Sequence, residues 1–301
     1  MSAAGYMDPA SGNLVDKIKS MLYAAFPIEG DVMTATRKAA SSIFKAFAGP
    51  DLYADIKTQD LNIPGPEADI PARIYYHSKD ESVTAPLIVF YHGGGWALNG
   101  LDDYERLLKS LSAQSGANII SVAYRLAPEH PFPNGLNDAQ IALDYVIKNA
   151  DVFRGVSNCV AVMGDSAGGN LAAVIAQSDV NKDKLAAQFL LYPMIDVFND
   201  HAVYPSRLAY GDGAHFLTRA AIDNSVKDYT GGQHALNSPR ISPLFAPSKE
   251  HLPPCYIMVG ACDPLRDEST AYVESLKAAG VDAAIDYIPG AIHGFLSFGI
   301  M

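Results

Sequence analysis

The sequence predicts an α/β fold in which helices flank a mostly parallel β-sheet, and three observations support this. Short apolar runs that suit strands alternate with helical stripes from about residue 53 onward. The run Pro-Leu-Ile-Val-Phe-Tyr at 86–91 is continuously apolar, as expected for a strand that is buried on both faces. Apolar residues make up 49% and charged residues 18% of the 301 positions, which suffices for a large core and excludes wholesale disorder.

The predicted elements follow in the order that such a fold requires. Apolar residues recur at helical spacing within residues 1–50, which predicts two helices separated at Pro27 and Gly30. Strands are predicted at 55–63, 72–76, 86–91, 119–124, 159–163, 188–192, 255–259 and 284–288. Later helices are predicted at 136–147, 169–177, 215–229 and 270–279. This alternation predicts βαβ units and therefore parallel strand pairs.

Two segments lie outside the alternation. Residues 1–50 precede the first strand, and the regular pattern stops between residues 196 and 237. We therefore expect these two segments, called the cap segments below, to cover the sheet of a main domain formed by residues 51–301.

The net charge and the cysteine content indicate which classes of binding partner and which cellular compartment are expected. The net charge of −11 repels phosphate backbones, which argues against a nucleic acid partner. Three cysteines without a CxxC pair favour a reducing cytoplasm over a disulfide framework. The sequence contains no apolar run of about 18 residues, so we expect no membrane span, and its start lacks the apolar core of a signal peptide.

A candidate nucleophile lies in the segment Gly-Asp-Ser-Ala-Gly at 164–168, which directly follows the predicted strand 159–163 and opens a helix. A strand, a sharp turn and a helix are the setting of a nucleophile elbow, which exposes the hydroxyl of Ser166 above the sheet. The flanking glycines relieve crowding at the turn, and the N–H of Ala167 faces the same space. Because the three-position match arises by chance in about one chain in ten of this length, the setting identifies Ser166 more strongly than the motif alone.

Three consecutive glycines, Gly93 to Gly95, follow the predicted strand 86–91. Glycine loses the most entropy on folding, so three in succession need a reason other than stability. Bare peptide N–H groups that approach a substrate oxygen are such a reason, because a tetrahedral oxyanion needs preorganised donors at about 2.7–3.1 Å. A flexible turn is the alternative; a phosphate loop is disfavoured because neither GxGxxG nor a following Lys-Ser/Thr is present. With the elbow further along the chain, we interpret the glycines as part of an oxyanion hole.

A serine hydroxyl needs a base that accepts its proton, and folds with this elbow order the triad as Ser, acid, His. His293 follows the last predicted strand, 284–288, at the end of the sheet where sites on open α/β sheets lie. The other histidines after the elbow lie in the second cap segment or precede a strand: His201, His215, His234 and His251. We therefore interpret His293 as the base.

The acid of the triad is expected at the end of an earlier strand. Asp263 comes soonest after the predicted strand 255–259. Asp267 and Glu268 suit the start of the next helix, where acidic residues complement the helix dipole regardless of chemistry. Asp263 is therefore the candidate that holds the tautomer of His293 and stabilises the imidazolium.

Together these residues resemble the hormone-sensitive-lipase-like esterases, bacterial family IV, of the α/β-hydrolase superfamily. The matching stretches occur in family order between about residues 86 and 298: HGGGW at 92–96, YRLAPEHPFP at 124–133, GDSAGGNLAA at 164–173, DPLRDE at 263–268 and HGF at 293–295. The resemblance implies the α/β-hydrolase fold and hydrolysis of carboxylic esters of short to medium acyl chain, without a cofactor or a metal. It implies an N-terminal helical cap at residues 1–50 on a catalytic domain.

The resemblance also assigns the site residue by residue. It implies Ser166, Asp263 and His293 as the triad. It implies Gly94, Gly95 and Ala167 as the oxyanion donors, with Gly93 as an alternative for one of the glycines. Glu129 is implied to brace the surroundings of the site.

Two features depart from the family pattern. Ser269 stands where a glycine is common, which is a minor change at a helix start. The sequence ends eight residues after His293, since 301 − 293 = 8, whereas family members usually continue with a helix that covers the sheet. We expect this to expose apolar surface without removing the chemistry.

The leading interpretation is a serine carboxylesterase that acts on a small ester through an acyl-enzyme. A non-catalytic small-molecule receptor on the same fold is the alternative from another class, and His293 in its motif argues against it. An amidase or deacetylase is permitted by the same triad, whereas a lipase for long triglycerides is disfavoured. The sequence leaves open whether the chain forms a homodimer.

Overall fold

The computed structural model describes residues 6–24 and 31–299, and the predicted break at Pro27 and Gly30 lies outside them. The strands in this part of the chain are β1 (Lys57–Ile63), β2 (Ile70–Tyr76), β3 (Ala85–Tyr91), β4 (Asn118–Val122), β5 (Gly155–Asp165), β6 (Ala187–Leu191), β7 (Cys255–Gly260) and β8 (Ala283–Ile288). The helices are α1 (Pro9–Ala24), α2 (Val32–Phe47), α3 (Glu105–Ser115), α4 (Asn134–Lys148), α5 (Ala167–Ala176), α6 (Pro205–Tyr210), α7 (Arg219–Thr230) and α8 (Arg266–Ala278).

The described strands form one sheet in the order β1-β2-β4-β3-β5-β6-β7-β8. Strand β2 runs antiparallel to both of its neighbours, β1 and β4, and the remaining pairs are parallel. Strand β3 is buried along nearly its whole length, as its continuous apolar run predicted. The predicted α/β fold with a mostly parallel sheet is therefore confirmed.

Helices cover both faces of the sheet. Side chains of α4, α5 and α8 share one apolar core with one face, and α3 packs on the other face through Leu108. Every residue of α5 is buried, because its alanines and glycines let it approach the sheet closely. The helix that follows the elbow is therefore held rigidly behind the candidate nucleophile.

The first cap segment packs beside the end of the chain's last loop. Leu14 and Ile18 of α1 and Ile43 of α2 share a cluster with Ile292 and Phe298, which flank the loop that carries His293. No helix within 6–24 and 31–299 combines the length and the apolar character that a membrane span requires.

The structure differs from the sequence prediction in two helices that were not predicted and in several element bounds: β5 begins at Gly155 rather than at 159, and α8 begins at Arg266 rather than at 270. Helix α3 was not predicted, although its leucines recur at helical spacing and Gly116 ends it in the left-handed conformation. Helix α6 was also missed, since it is only 6 residues long and starts at a proline. Helix α7 begins at Arg219 rather than at 215, because the Thr218 side chain accepts the Ala221 N–H at 2.9 Å and caps the helix there.

Candidate active site

The turn between β5 and α5 holds Ser166 with φ +52° and ψ −118°. A Cβ at Gly164 would collide with the carbonyl of Gly168, and one at Gly168 would collide with the carbonyl of Tyr91. Glycine is therefore required on both sides of the nucleophile, although the second collision is with β3 rather than with the turn. The positive φ of Ser166 is a strained backbone conformation, which costs about 1–3 kcal/mol and persists only where the surrounding structure enforces it. Here the Ser166 N–H donates to the Leu191 carbonyl at 2.9 Å.

The structure brings the three predicted triad residues together. His293 Nε2 lies 3.0 Å from Ser166 Oγ, and His293 Nδ1 lies 2.9 Å from Asp263 Oδ2. Asp263 is fully buried, and its other oxygen accepts the Leu265 N–H at 2.8 Å. Because a carboxylate accepts only, the imidazole proton belongs on Nδ1, which leaves the lone pair of Nε2 facing the serine hydroxyl. The arrangement can therefore take the hydroxyl proton of Ser166.

The glycine loop after β3 lies beside this line of side chains. Gly94 has φ +114° and Gly95 has φ +59°, conformations that favour glycine. Among the described residues, neither of their N–H groups donates to a protein acceptor. The Ala167 N–H is the first of α5, at the positive end of the helix dipole. Three donors therefore remain for an oxyanion.

Gly93 differs from the other two glycines of the loop. Its N–H donates to Asp165 Oδ1 at 2.7 Å and lies 3.1 Å from the Tyr104 hydroxyl. Asp165 precedes the nucleophile, and burial raises the pKa of its carboxyl to about 6. Sequence reasoning missed this residue. Its position could have identified it: a carboxylate between a buried strand and a buried helix needs a hydrogen-bond partner.

Helix α2 of the first cap segment holds residues that follow the glycines. Arg37 of α2 donates to the carbonyl of Ala97 at 2.8 Å, to the carbonyl of Ala127 at 2.9 Å and to both carboxylate oxygens of Glu129, at 2.8 and 2.6 Å. The Arg37 guanidinium also lowers the pKa of Glu129. Arg37 thus connects α2 both to Ala97, just after the glycines, and to Glu129, which the resemblance placed near the site.

A buried ion pair joins the second cap segment to the start of α8. Arg207 Nε donates to Glu268 Oε2 at 2.9 Å, and Glu268 Oε1 accepts the Ile195 N–H at 2.7 Å. Glu268 lies in the first turn of α8, as predicted, but it is fully buried and its partner is an arginine of α6. The sequence contained no local signal for this pairing, because its members lie 61 positions apart.

A cavity of about 500 Å³ lies beside α7, between it and the segment after β6. Val197, Ile222 and Val226 contribute apolar walls, whereas Ser166 does not line it. Ser225, on α7 between Ile222 and Val226, faces the glycine loop, since a Cβ at Gly95 would lie 2.9 Å from the Ser225 Cβ. Helix α7 therefore separates the cavity from the oxyanion donors. Across 6–24 and 31–299, no group of three or more His, Cys, Asp or Glu residues is placed to hold a metal ion.

Comparison with known proteins places this geometry in a family. A family model described as alpha/beta hydrolase fold matches residues 88–297. Carboxylic ester hydrolase LipN of Mycobacterium tuberculosis is 37% identical over 98% of this chain and 80% of its own length. Ethyl acetate hydrolase of Pseudomonas putida is 32% identical over 76% of this chain and 72% of its own.

A solved structure is similar over almost the whole chain. It is an ester hydrolase from the metagenome of Lake Arreo, in complex with a derivative of bipyridine phosphonate. It has a TM-score of 0.87 and 32% sequence identity, and the match covers 97% of this chain and 92% of that one. The chain therefore belongs to the alpha/beta hydrolase fold family, as a carboxylesterase of the hormone-sensitive-lipase-like kind that its motifs resemble.

Proposed function

We propose that this carboxylesterase hydrolyses small esters of short to medium acyl chain with Ser166, His293 and Asp263 as its triad. The observation that carries the proposal is the continuous line of hydrogen bonds from Ser166 Oγ through the imidazole to the buried Asp263 carboxylate, at 3.0 and 2.9 Å. In this line each group has the partner that its role in acyl transfer requires.

The reaction proceeds in two halves. Ser166 Oγ attacks the ester carbonyl carbon while its proton passes to Nε2 of His293, and the carbonyl oxygen becomes an oxyanion. The bond to the alcohol then breaks, the alcohol leaves with the proton from His293, and the acyl group stays on Ser166. Water attacks the acyl carbon, His293 takes its proton and returns it to Ser166 Oγ, and the carboxylic acid leaves.

The oxyanion is stabilised by the N–H groups of Gly94, Gly95 and Ala167. Two facts support this choice over Gly93: the Gly93 N–H is engaged by Asp165, and the other two glycine N–H groups have no acceptor among the described residues. Loss of one such donor costs about 3 kcal/mol of transition-state stabilisation.

The preference for a short acyl group is inferred from the relatives, because the ethyl acetate hydrolase among them carries a short-chain substrate in its name. The cavity beside α7 does not bear on this preference, since Ser166 does not line it and α7 separates it from the oxyanion donors.

We also propose how the chain is organised and where it works. Residues 1–50 and 196–237 act as the cap of the catalytic domain 51–301, which the contacts of α1 and α2 beside the His293 loop support. The three cysteines are unbridged, which fits the cytoplasm. The net charge of −11 argues against a nucleic acid partner. Strand β8 is an edge of the sheet and offers the backbone through which a homodimer would form.

The test is a rate profile over p-nitrophenyl esters of increasing acyl length. We expect the highest kcat/KM at short to medium acyl chains and a fall for longer chains. Ser166→Ala and His293→Ala should each reduce kcat by about 10⁴-fold or more, and the double variant should be no worse than either, since a triad acts as a unit.

The control is Ser20→Ala, which changes an exposed serine on α1 and should leave all rates unchanged. Full turnover by Ser166→Ala would refute the triad. An equal rate on the matching p-nitroanilides would assign an amidase, and ligand binding without acyl-enzyme formation would assign a receptor.

A further inference from the structure

Asp165 is a buried carboxylate that the triad does not use. It is the last residue of β5, directly before Ser166, and only 3% of its surface is exposed. Its Oδ1 accepts the Gly93 N–H at 2.7 Å, and its Oδ2 accepts the Tyr104 hydroxyl at 2.9 Å. Since the Gly93 N–H also lies 3.1 Å from that hydroxyl, the three groups form a closed set of hydrogen bonds under the glycine loop.

The contact between Asp165 and the loop is as close as the backbone permits. A Cβ at Gly93 would lie 2.5 Å from Asp165 Oδ2 and 2.9 Å from its carbonyl oxygen. The first glycine of the loop is therefore required by the elbow rather than by the substrate, because any larger residue would separate the two segments. This explains why the loop contains three glycines although two of them supply free N–H groups.

We propose that Asp165 is a positioning residue that fixes the glycine loop against the nucleophile elbow and so sets the place of the oxyanion donors. This inference rests on the proposed function. Asp165 and Ala167 flank Ser166 in one rigid turn, so a bond from Asp165 to Gly93 ties the loop donors to the same turn that carries the nucleophile and the third donor. This hydrogen bond thereby contributes to the distance between Ser166 Oγ and the donors of the loop.

For this role Asp165 needs a side-chain oxygen that reaches the Gly93 N–H and accepts its hydrogen bond. An asparagine has the same shape, keeps an oxygen for the Gly93 N–H and can donate from its amide to the Tyr104 oxygen. Alanine removes the carboxylate acceptor and leaves the Tyr104 hydroxyl, 3.1 Å away, as the remaining partner of the Gly93 N–H. The two substitutions therefore separate the hydrogen bond from the negative charge.

The expected loss is in kcat, because oxyanion donors act on charge that develops only in the transition state. Asp165→Ala should reduce kcat by about 10- to 1,000-fold and change KM by less than about threefold. Asp165→Asn should keep kcat within about threefold of the wild-type value. Inhibition by a trifluoromethyl ketone, which forms an oxyanion on the serine, should weaken for Asp165→Ala by about the factor by which kcat falls.

A matched control is Asp138→Ala. Asp138 is also a buried carboxylate, and it accepts a backbone N–H, that of Arg125, at 2.9 Å, but none of its hydrogen bonds reaches the glycine loop. The Asp138→Ala substitution should destabilise the fold, while the folded variant keeps the kcat and the inhibitor affinity of the wild type. A merely structural role of Asp165 would give this same pattern and would overturn the inference.

Ser166→Ala is measured in parallel, so that a failure of the positioning role can be distinguished from a failure of the proposed triad. If Ser166→Ala is inactive while folded Asp165→Ala keeps its kcat, the positioning role is refuted and the triad stands. If Ser166→Ala retains full activity, both fail. Should Asp165→Ala not fold, Asp165→Ser replaces it, since a serine hydroxyl is one bond too short to reach Gly93, and the same loss of kcat is expected.

Discussion

The ring of Tyr229 stacks on the indole of Trp96, with centroids 4.2 Å apart and planes 7° apart. Trp96 directly follows the three glycines and has φ +58°, so the stack holds the end of the loop in a conformation that is rare for a large residue. Tyr229 belongs to α7 of the second cap segment. The second cap segment and the glycine loop are therefore coupled by this aromatic pair.

Tyr229→Ala removes the stacked ring and should lower the free energy of unfolding by about 3–5 kcal/mol, as for other buried aromatic truncations. It should also lower kcat/KM, because the loop loses its contact with α7. Denaturant unfolding and ester kinetics measure the two effects. Tyr229→Phe is the control: its hydroxyl has no hydrogen-bond partner among the described residues, so its removal should cost less than about 1 kcal/mol. Equal losses in both variants would contradict the role of the stack.

Gly168→Ala should prevent stable folding or cost more than about 4 kcal/mol, because the new methyl group meets the backbone carbonyl of Tyr91, which cannot yield. Soluble yield and thermal unfolding measure this. Gly100→Ala is the matched control, since its Cβ would meet nothing within 4 Å and its φ of −169° suits any residue. A Gly168→Ala protein as stable as the wild type would disprove the close packing of α5 on β3.

Arg207→Met leaves the fully buried Glu268 carboxylate without its arginine and should cost about 3–5 kcal/mol. The double variant Arg207→Met with Glu268→Gln should be more stable than Arg207→Met alone, because the neutral amide no longer carries an unpaired charge but still accepts the Ile195 N–H. A double-mutant cycle in urea measures the coupling. Additive losses would show that the two residues do not interact.

The carboxyl of Asp165 should make the wild type less stable as the pH rises from about 4 to 6. Burial raises its pKa in the folded protein to about 6 from 3.8, so the folded state holds the proton more tightly than the unfolded state. The full shift is worth about 3 kcal/mol, at about 1.4 kcal/mol per pKa unit, and about 2 kcal/mol of this is lost between pH 4 and 6.5. Asp165→Asn lacks this titration, so the difference in unfolding free energy between the two proteins should shift by that amount between pH 4 and 6.5. A constant difference would rule out a raised pKa.

The fold class and the residues that meet at the site could be predicted from the amino-acid sequence. Ser166, Asp263 and His293 each follow the end of a predicted strand, and the carboxyl ends of parallel strands lie at one edge of the sheet. Residues 97 and 30 positions apart (263 − 166 and 293 − 263) could therefore be expected together before any distance was known. Local patterns suffice for this prediction, because each strand and each motif is recognised from a short stretch of neighbouring residues.

Which N–H groups of the glycine loop are free, and what holds the loop in place, depends on how distant elements pack and could not be predicted from the sequence. The register that sets Tyr91 opposite Gly164 brings Gly93 beside Asp165, a residue 72 positions away, and engages the Gly93 N–H in a hydrogen bond. The Arg207 and Glu268 pair and the Trp96 and Tyr229 stack depend in the same way on the docking of distant elements. Hydrophobic periodicity specifies which face of an element is buried, but the partner that a polar group finds there is set by how whole strands and helices align.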